Sequence, residues 1–117
     1  VNIDTSNIVW LSASDVKWVD ETGDVAIAFL WGSTKVGELR GNFVKLPAGF
    51  DGEINSRGSD FRAVIIKGAL KYQDSILHAG SYFGASTQTA HKVESKEETV
   101  LYIRSNDAFS VKGSEQE

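Results

Sequence analysis

The chain has 117 residues, the size of one domain, and its 41% hydrophobic and 24% charged content is that of a globular protein with a single core. A net charge of −4 and a sequence pI near 5.1, with no basic run, disfavour a general nucleic-acid partner or an anionic membrane surface. The absence of cysteine excludes disulfides, thiolate metal sites and a cysteine nucleophile, and no apolar run approaches the roughly 20 residues that span a bilayer.

A start at Val1 and a sequence without methionine read as a processed or excised piece, either cytoplasmic or exported with its signal removed. Helical periodicity is nearly absent, and short β-branched and aromatic runs recur between Gly, Ser, Asn and Asp. Residues 8–11 and 16–19 are predicted as strands, with a turn or single helical turn at 12–15. Residues 25–31 (VAIAFLW) form a nearly continuous apolar run, predicted as a strand buried on both faces. Residues 36–46 follow, with Leu39, Phe43 and Val44 as core candidates. Pro47-Ala48-Gly49 is a corner, because proline fixes φ and glycine accepts φ > 0. Strands are then expected at 53–57, 60–67, 69–72 and 76–77, with 78–84 leading into a turn. The last strands are expected at 87–93, 99–104 and 108–111. About ten short strands without helices or linkers predict one antiparallel sandwich or barrel.

Two segments carry a pattern similar to the motifs of cupin barrels. The first motif is G-x5-H-x-H-x3/4-E-x6-G. Gly49 places Asn55 and Arg57 at its two histidines, Phe61 (or Arg62 by the longer count) at its glutamate, and Gly68 at its final glycine. The second motif is approximately G-x5-P-x-G-x2-H-x3-N. Gly80-Ser81-Tyr82-Phe83 resembles its start, His91 falls at its histidine and Ser95 at its asparagine, while the middle proline is missing. Trp31-Gly32, the LPAGF corner and the run from Phe61 to Gly68 resemble the cupins of uncharacterised function related to ChrR-like anti-sigma domains, in which an aromatic-Arg pair commonly replaces the glutamate. The resemblance covers residues 8–112. It implies an all-β fold, the antiparallel double-stranded β-helix of the cupin jelly-roll barrel, as a single domain over 1–112 with a polar tail at 113–117. It also implies a homodimer paired through the N-terminal strands, and leaves open one half of a two-cupin chain.

A cupin Fe, Mn, Ni or Zn site needs neutral imidazoles and a carboxylate converging on one point. Only His91 keeps such a ligand, and a guanidinium at Arg57 offers no acceptor and repels a divalent ion. No cofactor is therefore expected. Asn55, Arg57 and His91 are expected to line the barrel mouth, with Arg62, Tyr82, Trp31 and Tyr102 near them, and to bind or sense a small molecule. Arg57 favours an anionic one. The alternative is a metal-dependent enzyme with non-standard ligands around His91. Without a metal, the functional roles open to His91 are hydrogen-bonding a ligand or acting as a general base near neutral pH. Plainer roles stand beside these. Arg57 can pair with Asp60 or Glu53 at the surface, His91 can be a buried structural histidine, and Trp31, Tyr82 and Tyr102 can be core. If Phe61 points inward, Arg62 points away. Trp10 and Trp18 fit a core edge or a dimer surface. There is no G-x-S-x-G elbow, glycine-rich phosphate loop or H-E-x-x-H.

Overall fold

The alternating apolar positions and their glycine-marked breaks become two facing antiparallel sheets. In the computed structural model, which describes residues 10–114, the strands are β1 (Val19–Asp20), β2 (Ala26–Gly32), β3 (Arg40–Leu46), β4 (Phe50–Ser56), β5 (Phe61–Lys67), β6 (Ala69–Tyr72), β7 (Ser75–His78), β8 (Tyr82–Ala85), β9 (Thr89–Ser95), β10 (Thr99–Ser105) and β11 (Phe109–Gly113). Sheet A runs β1-β2-β3-β10-β5-β8, and sheet B runs β11-β4-β9-β6-β7. From β4 onward the chain passes repeatedly from one sheet to the other, which winds it into a double-stranded β-helix. Val44, Ile65 and Leu101 of sheet A meet Ile54, Leu70 and Val93 of sheet B in one core, all fully or almost fully buried. Among the described residues no helix is long and apolar enough to cross a membrane.

Gly68 is the single residue between β5 and β6, where the chain changes sheets. Its φ of +83° suits glycine, and a side chain there would press on the backbone of Glu98 and Thr99. The predicted helical turn is a 3-10 turn, Ala13–Asp15, capped reciprocally by Ser12 and Asp15.

Several expectations need correction. The predicted strand at 8–11 lies partly outside the described residues, and Trp10 and Leu11 belong to no strand. Of the predicted strand at 16–19 only Val19 is a strand residue, pairing with Ile27. Residues 82–85, read as the approach to a turn, form β8 on the edge of sheet A. β2 is not buried on both faces, because Phe29 is 49% exposed. Its buried alanines, Ala26 and Ala28, share a face with Lys45 and Phe43, where the Trp18 ring stacks on Phe43 at 6.0 Å. In β3 Val44 is buried as expected, but Leu39 and Phe43 are not core. Arg40, Asn42, Val44 and Leu46 are buried, Leu39 is 36% exposed, and Phe43 lies on the outer face.

Candidate functional site

Strand pairing decides which side chains can meet, since residues opposite each other in an antiparallel pair share a face. In β4 the inward positions are Phe50, Gly52, Ile54 and Ser56, all buried, and they pair in register with Ser95, Val93, His91 and Thr89 of β9. Asn55 therefore does not face His91. It pairs with Ala90 and Ser110 on the outer side of sheet B. The positions that surround His91 are Ile54, Ser56, Phe61, Tyr72 and Phe83.

His91 is 2% exposed and fully engaged. Its Nδ1 lies 2.9 Å from the Tyr72 hydroxyl and its Nε2 3.2 Å from Ser56 Oγ, which is 3.4 Å from the Thr89 carbonyl oxygen. One proton arrangement satisfies every donor. Tyr72 O–H donates to Nδ1, Nε2–H donates to Ser56 Oγ, and Ser56 O–H donates to the Thr89 carbonyl. The ring is then neutral. Phe61 stacks on it at 5.1 Å and Phe83 lies at 5.2 Å. Burial holds the His91 pKa below the usual histidine value and raises that of Tyr72, because each charged form would lose its water.

The cupin resemblance implies a metal at this level of the barrel, and the donor chemistry does not fit one. The three residues facing His91 from the motif strands β4 and β5, Ile54, Ser56 and Phe61, supply one hydroxyl and no carboxylate or imidazole, and both nitrogens of His91 already have partners. Among the described residues no group of three His, Cys, Asp or Glu converges anywhere. A divalent cage needs more charge and more donors than this.

Asn55 and Arg57 meet instead at the rim. The ends of β4, β9 and β11 enclose a cleft of about 600 Å³ lined by Asn55, Ser56, Arg57, Gln88, Thr89, Ala90, Ala108, Phe109 and Ser110. Its walls are amides, hydroxyls and one aromatic ring, with Arg57 as the one charged lining residue. Ser56 and Thr89 belong both to the cleft and to the chain of hydrogen bonds that ends on His91. The surface pairing expected for Arg57 is not formed. Asp60 is held by Arg62 at 2.9 Å and Arg104 at 3.8 Å, and among the described residues Arg57 makes no ion pair.

The other expected site residues lie elsewhere. Phe61 is inward and 1% exposed, so Arg62 points out and pairs with Asp60. Tyr82, 56% exposed, shares the outer face of sheet A with Val64. Trp31 packs over Gly41 and donates its indole N–H to the Tyr102 hydroxyl at 2.8 Å, on the same outer face, where Tyr102 meets Phe43 edge-on. None of these four contacts His91 or lines the cleft, because each lies on the outer face of sheet A. A buried polar group not anticipated from the sequence, Arg40, Asn42 and Ser105, lies on the inner face of β3 and β10. The alternation of Arg40, Asn42, Val44 and Leu46 was its one signal, masked by the presumption that an arginine faces water.

Two antiparallel sheets wound as a double-stranded β-helix define the protein as a cupin in fold. Solved structures agree in fold. An RmlC-like cupin from Ralstonia eutropha superposes with a TM-score of 0.73 at 19% identity, covering 90% of this chain and 72% of that one. The Rhodobacter sphaeroides complex of SigE with the anti-sigma ChrR gives 0.66 at 18%, covering 80% and 51%. An acetylacetone dioxygenase from Acinetobacter johnsonii gives 0.68 at 16%, covering 95% and 80%. The chain belongs to the family described as a domain of unknown function, DUF4437, which matches residues 1–112. A comparison of the sequence with curated proteins finds no match.

Proposed function

We propose that this cupin domain is a small-molecule binding module that takes an anionic ligand in the rim cleft, with Arg57 as the charge partner and no divalent metal. The observation that carries this reading is a guanidinium with no ion pair among the described residues, sharing a cleft with amides and hydroxyls. A planar guanidinium fork matches the two oxygens of a carboxylate or phosphate, and the Asn55 and Gln88 amides and the Thr89 hydroxyl can hold neighbouring polar atoms. Phe109 offers a flat apolar wall. His91 acts from behind as support for Ser56, since its two nitrogens are occupied.

Titration calorimetry with citrate and with inorganic phosphate tests this. Wild-type protein is expected to bind at least one of them saturably, and Arg57→Ala to bind it roughly 10- to 100-fold more weakly, the worth of a charge-assisted hydrogen bond. Equal binding by the variant would refute the assignment of Arg57. Stoichiometric Fe, Mn, Ni or Zn in the wild type that is lost on His91→Phe would refute the metal-free reading.

A further inference from the structure

A second polar cluster lies inside the barrel, away from the rim cleft. Arg40 opens β3 with its side chain on the inner face and is only 7% exposed. One of its terminal nitrogens donates to the carbonyl oxygens of Lys35 at 2.9 Å and Glu38 at 3.5 Å, while its Nε–H has no acceptor. Among the described residues no carboxylate lies within ion-pair distance of it. Directly opposite in register is Ser105 of β10, fully buried, whose Oγ also has no partner. The next inward residue of β3 is Asn42, 8% exposed, with its Oδ1 unpartnered.

Buried polar groups nearly always find partners, so three orphaned atoms on adjoining positions of one sheet face mark a place where something binds. The charge decides what. A guanidinium only 7% exposed, with carbonyl oxygens as its hydrogen-bond partners and no carboxylate beside it among the described residues, favours a negative partner, and a water molecule would complete the hydrogen bonds without neutralising it. We propose that Arg40, Ser105 and Asn42 form a buried site for a compact monoanion, either a halide or the carboxylate end of an organic acid. Arg40 Nε–H and the Ser105 hydroxyl donate to it, and Asn42 donates when its amide turns to present the NH2 group. The proposed access is on the β2 side, where Phe29, the register partner of Asn42 on that same face, is 49% exposed.

This site is separate from the rim. Phe61, the register partner of Ser105, is fully buried and packs against Phe109 of the cleft wall with centroids 6.1 Å apart, so it stands between the two.

The test uses sodium bromide and sodium formate as probes on the whole chain. Each probe that binds is expected to raise the wild-type Tm in proportion to ln(1 + [L]/Kd), by roughly 5 °C at about tenfold over its Kd. That response is expected to disappear in Arg40→Met and to survive in Arg57→Ala, which separates this site from the rim reading. Ser105→Ala guards against a misfolded Arg40 variant. It removes a hydroxyl with no partner, so it is expected to keep wild-type stability in low salt while weakening the anion response several-fold. Crystals soaked in bromide are expected to show an anomalous peak within hydrogen-bond reach of Arg40 Nε. Response to bromide alone assigns a halide site, and response to formate assigns a carboxylate site. Equal anion responses in wild type, Arg40→Met and Ser105→Ala overturn the proposal. So does density showing only water, or a carboxylate of the chain itself, on Arg40 Nε.

Discussion

Replacing His91 separates an architectural histidine from a catalytic one. His91→Ala removes a fully buried ring that contacts Phe61 and Phe83 at 5.1 and 5.2 Å and leaves the Tyr72 hydroxyl and Ser56 Oγ without it. Truncating a large buried ring costs about 3 kcal/mol at the low end, and stranding a buried hydroxyl adds roughly 1–3 kcal/mol. The sum of about 4–6 kcal/mol is comparable with the whole stability of many small domains, so a gentler pair of variants makes the better experiment. His91→Phe keeps volume and stacking while deleting both hydrogen bonds, at an expected cost of about 1–3 kcal/mol, mostly from the stranded Tyr72 hydroxyl. Adding Tyr72→Phe removes that stranded group, so the double variant is expected to recover much of the loss, with a coupling above about 1 kcal/mol. Urea titration with an unchanged m-value provides the readout. A His91→Phe variant within about 0.5 kcal/mol of wild type, with no coupling to Tyr72, would refute the argument.

The lowered pKa of His91 carries a pH dependence. Below the usual histidine value the unfolded chain takes up a proton that the folded protein resists. Stability therefore falls as pH drops from about 6.5 toward the depressed folded-state value, at no more than about 1.4 kcal/mol per pH unit from this residue, and that component vanishes in His91→Phe. Gly68→Ala puts a side chain at a φ of +83° against the Glu98 and Thr99 backbone, and thermal melts are expected to register a loss of about 1–3 kcal/mol. On the outer face of sheet A, Trp10, Leu11, Leu30, Trp31 and Phe43 line an apolar groove of about 360 Å³, and Trp10 is 76% exposed. We propose that a second copy covers it. Light scattering should report a dimer that Trp10→Ser shifts toward monomer, and a wild-type monomer at all concentrations would rule this out.

The fold was legible because its signals are local. Glycine breaks such as Gly49 and Gly68 and the β-branched run of β5 survive in the sequence whatever the ligand chemistry has become. The site was legible only to within one residue, and in a pleated strand one residue is the difference between inside and outside. Counting from Gly49 put Asn55 and Arg57 inward, whereas β4 turns Ile54 and Ser56 inward and leaves Asn55 on the outer face. Tyr102 sits in an unbroken apolar run, Val100 to Ile103, where composition does not distinguish the faces, and pairing with Phe43 places it outside. Arg40 was hidden for the opposite reason. Its charge argued for water, while its parity with Val44 and Leu46 argued for the core, and the parity prevailed.

The proposed ligand recognition at the rim depends on Arg57, with His91 held behind Ser56. Amide and arginine side-chain NMR spectra recorded through a titration with citrate, and again with phosphate, test it most directly. The prediction is a saturable set of shifts at residues 55–57, 88–90 and 108–110 and at the Arg57 side chain, absent in Arg57→Ala. Shifts centred on Tyr72, Phe83 and His91, or no saturable response to either anion, would contradict it.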